Sequence, residues 1–289
     1  MRKVSHLISL ILNFQLDFLT FSFSLLTFSL LFRTATLLMA PVVSVGTSSE
    51  DVAARVGHHV IKHQNIAIAE SGVFRIAVSG GSMGKVLKKA LVDDKQIAPL
   101  VKWDKWEVYF SDERLVPLDH PESNYGLLKQ NVLDHVPKVV VHPIDVSLLT
   151  GKEGELAGAD EAKDQEIADK YAELLPKDGK LDLLLLGCGP DGHTCSLFPG
   201  HPLLEEKSKL VALIRDSPKP PPRRISVTFP LLAKATSLAF IAEGEGKAPT
   251  LKKIFEEGDT SLPSKLVSDL VGPEVVWFVN EPAVKGVKL

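Results

Sequence analysis

The stretch at residues 180–202, KLDLLLLGCGPDGHTCSLFPGHP, constrains the fold more than any other part of the chain. It opens with consecutive leucines at positions 183–186. A short, unbroken apolar run that ends in glycine is typical of a strand buried on both faces, as in a parallel sheet. Asp191-Gly192-His193 follows this run closely. Because ligands bind at the carboxyl ends of strands in open α/β sheets, we expect chemistry at this acid and imidazole.

Two other interpretations of the same turn compete with a catalytic one. Gly187, Gly189 and Gly192 fit the spacing of a dinucleotide fingerprint, which requires a long helix to open at the third glycine. Pro199 and Pro202 interrupt the chain within about two helical turns, which argues against such a helix. The other alternative is a capping turn with a surface histidine. An acid, a glycine and an imidazole directly after a buried strand favour a functional site instead.

The overall composition excludes several function classes. The chain has 289 residues and a formal net charge of −3. Because this charge does not indicate binding to a polyanion, we expect no nucleic-acid partner. Cys188 and Cys195 are the only cysteines and form no CxxC pair, which favours free thiols of a reducing compartment over a disulfide. The histidines lack the spacing of metal ligands, so no metal site is predicted.

The amino-terminal segment, residues 1–40, differs from the rest of the chain. Its run at residues 18–32 carries no charge, but the run is short for a membrane helix and charged residues bracket it. Three interpretations fit: a signal-like segment, an organelle-targeting segment, and an extension upstream of a translation start at Met39. We therefore assign residues 1–40 to an apolar extension and residues 41–289 to one catalytic domain without a stable membrane span.

A second glycine-rich turn predicts an anion site. Residues 74–79 form a short β-rich run, Gly80-Gly81-Ser82 follows, and a helix is predicted from about Met83. The backbone amides and the helix dipole of such a turn are directed at an anion, and Ser82 adds a hydroxyl. Because no GxxxxGK[ST] motif is present, a small phosphate ester fits better than a nucleoside triphosphate. The alternative is a tight turn that serves packing alone.

Basic residues follow other predicted strands. Arg114 comes after a strand at residues 106–110, where an arginine is suited to hold phosphate with two hydrogen bonds. An exposed charged turn is the alternative there. The stiff, proline-rich segment at residues 217–222 leads to Arg224. Lys247 lies in the first turn of a predicted helix, where the dipole disfavours a cation, so its placement indicates an anion to be bound.

Strands and helices alternate through the rest of the chain. Ser48 begins a helix with a capping box, and Asn124 is predicted to cap another helix. Further strands are predicted at residues 139–141, 210–214, 225–228, 237–241, 264–270 and 275–279. This pattern predicts one α/β domain with a mostly parallel, doubly wound sheet.

With these motifs in order, the chain resembles the 6-phosphogluconolactonase family from about residue 48 to residue 279. The resemblance rests on several ordered motifs, which are Ser79-Gly80-Gly81-Ser82, Ser111-Asp112-Glu113-Arg114-x-Val116-Pro117, Ser123-Asn124-Tyr125, Gly187-x-Gly189-x-Asp191-Gly192-His193-Thr194, Arg224-Ile225-Ser226 and Gly246-Lys247-Ala248. The glucosamine-6-phosphate deaminases and ribose-5-phosphate isomerases are similar more loosely, in the Gly-rich turn and the Asp-Gly-His motif.

The resemblance implies a Rossmann-like scaffold and hydrolysis of 6-phosphogluconolactone in the oxidative pentose phosphate pathway. It implies that His193 is the general base and that the phosphate is held by Arg114, Arg224, Lys247 and the turn of Gly81 and Ser82. It implies a small sugar-phosphate lactone as partner, no metal and no organic cofactor. One departure is Met83-Gly84, where the family often has Thr-Pro, so one hydroxyl is missing from the phosphate site.

The chemistry of a lactonase agrees with these residues. A δ-lactone is an activated ester, so its hydrolysis needs a positioned water, a base and stabilisation of an oxyanion. An imidazole that titrates near pH ~6.5 suits the base, and Asp191 is expected to orient either the imidazole or substrate hydroxyls. No G-x-S-x-G motif is present, so no acyl-enzyme is expected. A sugar-phosphate isomerase or deaminase on the same scaffold and a non-catalytic sugar-phosphate sensor are the alternatives.

A chain that starts at Met39 is expected to fold and to hydrolyse the lactone like the full chain, because every motif lies beyond residue 48. The full chain should be less soluble, since its apolar run lacks an evident partner surface. Turnover and solubility of both purified chains check this, and loss of turnover in the shorter chain would contradict it. We expect a cytosolic location, with the plastid second; a fluorescent fusion to the first ~50 residues distinguishes them.

Overall fold

The structure, a computed structural model, describes residues 41–270 and 272–289. The expectations for residues 1–40, including the apolar run at 18–32 and the start at Met39, lie outside the described residues. Among the residues that are described, no helix is both long and apolar enough to cross a membrane.

Ten strands are found in the described part of the chain. They are β1 (Val42–Gly46), β2 (Phe74–Val78), β3 (Trp106–Phe110), β4 (Asp112–Arg114), β5 (Val140–Val141), β6 (Leu183–Gly187), β7 (Val211–Ile214), β8 (Arg224–Val227), β9 (Ser237–Ala242) and β10 (Glu274–Asn280). Seven of them form one parallel sheet in the order β1-β10-β9-β6-β2-β3-β5. The other three form a small antiparallel sheet in the order β4-β8-β7.

Helices connect most of the parallel strands. They are α1 (Ser49–Ser71), α2 (Met83–Leu87), α3 (Asn124–Asn131), α4 (Glu161–Leu174), α5 (Phe229–Leu232), α6 (Ala248–Lys252) and α7 (Pro263–Ser268). Two of them continue as π-helical turns, α2 into Lys88–Asp93 and α6 into Lys253–Glu257. Helix α1 packs against β1, β2 and β10. The predicted fold class, one α/β domain with a mostly parallel sheet, is confirmed.

The leucine run forms the centre of the sheet. The four leucines of β6 are fully buried, and β6 pairs in parallel with β2 on one side and with β9 on the other. A strand that is covered on both faces has no polar face, which explains why its sequence does not alternate. The Ser48 cap of α1 is also confirmed, since the Ser48 side chain accepts a hydrogen bond from the Asp51 N–H at 3.1 Å. The Asp51 carboxylate accepts from the Thr47 N–H at 2.9 Å rather than from the Ser48 N–H that a capping box uses.

Several local predictions are wrong. Residues 264–270 were expected to be a strand but lie mostly in helix α7, because Pro263 suits a first helical turn and buried residues recur at helical spacing. Asn124 is not the cap of α3; Ser123 is, with its side chain accepting from the Gly126 N–H at 3.1 Å. Strands β7 and β8 form as predicted, but in the antiparallel sheet rather than the parallel one.

The order of the strands creates a crevice between β2 and β6. From β2 the chain adds β3 and then β5 on one side, and it returns to place β6, β9 and β10 on the other side. The connections that leave the carboxyl ends of β2 and β6 therefore diverge, and such a switch point is where open α/β sheets bind ligands. Both glycine-rich turns, residues 79–82 and 187–193, lie at this point.

A buried ion pair ties helix α4 to the end of the proline-rich segment. Asp164 and Arg223 are both fully buried, with Arg223 Nε 2.9 Å from Asp164 Oδ2 and Arg223 Nη2 2.5 Å from Asp164 Oδ1. Arg223 Nη1 donates to the backbone oxygens of Thr150 and Glu155. Because every charged atom has a partner, the pair holds the loop at residues 150–159 against the strand that follows Arg223.

Replacing Asp164 with Ala should lower the free energy of unfolding by about 3–5 kcal/mol, because it leaves the Arg223 charge buried without a partner. Scanning calorimetry measures the effect, and the expected fall in Tm is about 2–4 °C for each kcal/mol lost. The matched control is Asp134→Ala, because Asp134 is half exposed and pairs with Lys129 at the surface. Similar Tm values for both variants would contradict this account of the pair.

Candidate active site

A cavity of about 260 Å³ lies at the switch point between β2 and β6. Its walls come from the two glycine-rich turns, from β4 with the start of α3, and from the basic residues that follow other strands. Of the residues predicted for the site, those that line the cavity are Gly81, Ser82, Arg114, His193, Arg224 and Lys247. Asp191 is outside the lining and contacts the His193 ring instead. The fold thus brings together residues that are distant in the sequence.

The hydrogen bond between His193 and Asp191 fixes the state of the imidazole. His193 Nδ1 lies 2.5 Å from Asp191 Oδ1. A carboxylate oxygen can only accept, so Nδ1 carries the proton and Nε2 keeps its lone pair. Burial lowers the pKa of His193 below its usual value, although Asp191 acts in the opposite direction. The ring is therefore neutral near pH 7, and Nε2 is able to accept a proton.

Asp191 is ionised near pH 7 as well. Burial opposes its ionisation, but the hydrogen bonds and charges of His193 and Lys219 lower its pKa to about 2. Asp191 thus remains an acceptor for Nδ1–H over the whole range in which an imidazole titrates. Its contact is with the ring, which is one of the two partners that the sequence left open.

The turn after β6 needs glycine at position 189. A Cβ there would lie 2.0 Å from His193 Nδ1 and 2.6 Å from Asp191 Oδ1, so only glycine allows the ring and carboxylate to meet over the backbone. The Gly189 N–H donates to the His193 backbone oxygen at 2.8 Å. Helix α7 supports the turn from outside, because the Ser264 N–H donates to the Gly192 oxygen at 2.9 Å.

The turn after β2 presents unused donors to the cavity. Gly81 has a φ of 65°, which favours glycine, and α2 begins two residues later. Among residues 41–270 and 272–289, the N–H groups of Gly81 and Ser82 have no hydrogen-bond partner, and the Ser82 side chain makes no capping bond. Free amides in a turn before a helix form an anion site.

Two arginines on neighbouring strands face the same cavity from β4 and β8. Arg114 Nη1 bonds the backbone and side chain of Glu122, while its buried Nε has no partner in the described part of the chain. Burial, and then the charge of Arg114, lower the pKa of Arg224 to about 10. The two guanidinium groups thus repel each other, and an anion in the cavity would relieve that repulsion.

Arg224 has fewer free donors than the sequence indicated. Its Nε donates to the Pro221 oxygen at 3.0 Å, and its Nη2 donates to the oxygens of Lys219 and Pro220 at 2.8 and 3.0 Å. Only Nη1, with a long 3.4 Å contact to Ser196 Oγ, is left for a ligand. The third cation, Lys247, donates from Nζ to the Cys188 oxygen at 2.6 Å, beside the His193 turn.

Sequence reasoning missed three polar residues of the site. Asp112 lines the cavity and accepts from Ser196 Oγ at 2.8 Å. Asn124 Nδ2 donates to the backbone oxygen of Asp112 at 2.8 Å, and its buried Oδ1 has no partner among the described residues. Lys219 contacts both Asp191 and His193. Asp112 and Asn124 lie in motifs of the family resemblance, which could have identified them as site residues. Lys219 lies in no such motif.

The described ranges contain no candidate metal site. Within residues 41–270 and 272–289, no group of three or more His, Cys, Asp or Glu side chains is arranged to hold a metal ion. Cys188 and Cys195 are free and buried, and burial raises the pKa of both thiols, that of Cys195 to about 12. Neither thiol is therefore a nucleophile near neutral pH.

Comparison with known proteins places this site in a family. The model of the family described as glucosamine-6-phosphate isomerases/6-phosphogluconolactonase matches residues 47–277. The chain belongs to this family. Among its relatives, 6-phosphogluconolactonase 3 of Saccharomyces cerevisiae is 44% identical over 250 residues, which are 84% of this chain and 96% of that protein. The match to the family thus includes every residue of the candidate site.

A plant protein and a solved structure are similar to the chain as well. A protein of Oryza sativa subsp. japonica named probable 6-phosphogluconolactonase 3, chloroplastic, is 41% identical over 223 residues, which are 75% of this chain and 67% of that protein. Among solved structures, 6-phosphogluconolactonase from Trypanosoma cruzi has a TM-score of 0.73 and 25% identity, and the match covers 86% of this chain and 97% of that chain.

Inorganic phosphate should bind to this cavity and raise the Tm of the protein, because a ligand of the folded state stabilises it. Arg114→Met or Lys247→Met should weaken phosphate binding about 10–150-fold, through the loss of a charge-assisted hydrogen bond. Titration calorimetry measures the Kd. Lys105→Met is the control, because Lys105 precedes β3 at the opposite edge of the sheet. Equal phosphate affinity in all variants would contradict an anion site here.

Proposed function

We propose that the chain hydrolyses 6-phospho-D-glucono-1,5-lactone to 6-phospho-D-gluconate, the lactonase step of the oxidative pentose phosphate pathway. The observation that carries the proposal is the pairing of a neutral imidazole with an anion site in one cavity. His193 supplies the free Nε2, while Arg114, Lys247 and the turn of Gly81 and Ser82 supply cations and amides. The names of the yeast, rice and trypanosomal relatives support the same reaction.

The imidazole acts first as a base on water. A water molecule bound to His193 Nε2 gives up a proton as its oxygen attacks the lactone carbonyl carbon. The positive charge that forms on the ring is stabilised by the Asp191 carboxylate at Nδ1. The tetrahedral intermediate then collapses, the bond to the ring oxygen breaks, and Nε2–H returns the proton to that oxygen. No covalent intermediate with the protein is needed.

The phosphate anchors the substrate away from the reacting carbon. Arg114 offers its buried Nε, and the Gly81 and Ser82 amides are free in the described part of the chain. Arg224 adds only Nη1, since its other donors hold the loop at residues 219–221. Binding energy from this remote group orients the lactone for attack.

Asp112 and Asn124 are placed to accept hydrogen bonds from sugar hydroxyls. Both line the cavity and both are buried, and an acceptor oxygen of Asn124 is unpaired within the described residues. A buried acceptor without a partner, as Asn124 Oδ1 is among the described residues, strongly favours a ligand that carries hydroxyl groups. The Asp112 oxygens already accept from Ser196 Oγ and Asn124 Nδ2.

Isomerisation or deamination of a sugar phosphate is the second candidate. The description of the matching family names glucosamine-6-phosphate isomerases beside the lactonases, and Asp112 gives the cavity a carboxylate that is suited to proton transfer. Product analysis with the lactone and with an aminosugar phosphate distinguishes the two reactions. A sensor without catalysis would show no turnover with either compound.

The division of the chain and its location are further parts of the proposal. Residues 41–289 carry the whole activity, which the extent of the family match at residues 47–277 supports. We propose the cytosol as the location, with the plastid second, for which the chloroplastic name of the rice relative is the support. Residues 1–40 would then act in targeting or not at all.

Replacing His193 with Ala should lower kcat for 6-phosphogluconolactone about 10²–10⁴-fold, because no other group takes the proton of the attacking water. KM should change less, since the phosphate contacts remain. The rate is measured with spontaneous hydrolysis subtracted. The matched control is His201→Ala, because His201 also pairs with an aspartate, Asp216 at 3.0 Å, but lies outside the cavity lining.

Near wild-type kcat in His193→Ala would refute the base, and equal loss in His201→Ala would indicate an effect on folding. Absence of 6-phosphogluconate from the wild-type reaction, with turnover of an aminosugar phosphate, would favour the second candidate.

A further inference from the structure

Lys219 contacts the catalytic pair but has no part in the mechanism above. Its Nζ lies 3.1 Å from Asp191 Oδ1 and 3.0 Å from His193 Nδ1. The residue is not in the lining of the cavity, and its side chain is 36% exposed. Lys219 therefore meets the imidazole at the nitrogen opposite the one that takes the proton, and it is not placed to bind the substrate.

The backbone of Lys219 is held firmly. The Ser217 hydroxyl accepts from the Lys219 N–H at 3.2 Å and donates to the Lys219 oxygen at 2.8 Å. Arg224 Nη2 donates to the same oxygen at 2.8 Å. Arg224 also lies 5.8 Å over the Phe198 ring, which stacks on His193 with centroids 5.0 Å apart. These bonds fix the position of the Lys219 backbone beside the His193 turn, from which the side chain reaches Asp191 and the ring.

The hydrogen-bond directions at Asp191 show what Lys219 can do. Because Nδ1 donates its proton to Asp191, it has no lone pair for the ammonium of Lys219. The ammonium therefore donates to Asp191 Oδ1, and this oxygen accepts from both groups. When Nε2 takes a proton, a second positive charge forms beside the ammonium at 3.0 Å.

We infer that Lys219 is a positioning residue for the proposed hydrolysis. Its ammonium holds the Asp191 carboxylate against His193 Nδ1 and keeps the His193 ring neutral by opposing protonation at Nε2. Arg224 serves this arrangement by holding the loop of Lys219, in addition to lining the cavity. The inference rests on the proposed function.

The other charges around His193 do not replace Lys219. Those that face the ring or its cavity are Asp191 from the same turn, Asp112 from β4, Arg114 from β4, Arg224 from β8 and Lys247 before α6. The two carboxylates favour the imidazolium, and among the described residues Lys219 is the cation in direct contact with the ring. Loss of its charge removes the cation that touches the ring, while both carboxylates stay in place.

Lys219→Met should raise the pKa on the acid limb of the kcat/KM–pH profile by about 0.5–1 unit, because removing a cation stabilises the protonated imidazole. Below the wild-type midpoint, the variant should therefore be about 3–10-fold slower. On the alkaline plateau it should stay within about threefold of wild type, since the base is present there. Lys219→Arg keeps the charge and should restore the midpoint.

Lys207→Met is the control for loss of a surface charge, because Lys207 is 81% exposed and, among the residues that the structure describes, pairs only with Glu205. An unchanged midpoint of the acid limb in Lys219→Met would overturn the inference. If the Tm of this variant falls while the midpoint stays the same, Lys219 has a structural role alone. If the wild type does not hydrolyse the lactone, the proposed function fails separately. The pKa of His193, measured by NMR titration in wild type and in Lys219→Met, then tests the inference without turnover.

Discussion

The hydrogen bond from His193 Nδ1 to Asp191 determines which ring nitrogen can accept a proton, and the chemistry of the site depends on it. Several features serve this one bond. Gly189 leaves room for the ring to meet the carboxylate, and Ser264 of α7 holds the turn from outside. The ammonium of Lys219 helps to keep the carboxylate ionised. Each of them helps to hold the proton on Nδ1, which leaves the lone pair of the ring on Nε2.

The parallel sheet explains why the base and the anion site share a cavity. Strands β2 and β6 are neighbours, so the turns that follow them open at the same edge. The small antiparallel sheet then adds Arg114 and Arg224 from paired positions of β4 and β8. Arg114 and the buried Arg224 thus bring like charges to the same cavity, and an anion bound there would relieve their repulsion.

Local sequence signals predicted the parts of the fold that depend on local physics. The buried strand at 183–187, both glycine-rich turns and the Ser48 cap follow from apolar runs, backbone freedom and capping. The prediction of a strand at residues 264–270 was wrong, because a short run of mixed apolar and polar residues does not distinguish the repeat of a helix from the repeat of a strand. Lys219 and the loop bonds of Arg224 depend on contacts between distant segments, which composition and spacing do not encode. The match of the chain to its family agrees with the predicted fold and reaction.

The central claim is that the His193 ring is neutral near pH 7 and carries its proton on Nδ1. Nitrogen-15 NMR of the histidine side chains, with His193→Ala used to assign the signal, tests this claim directly because the two tautomers have different shifts. The account predicts the Nδ1–H tautomer with a pKa below the usual ~6.5 of histidine. A ring that is protonated at pH 7, or that carries its proton on Nε2, would contradict it.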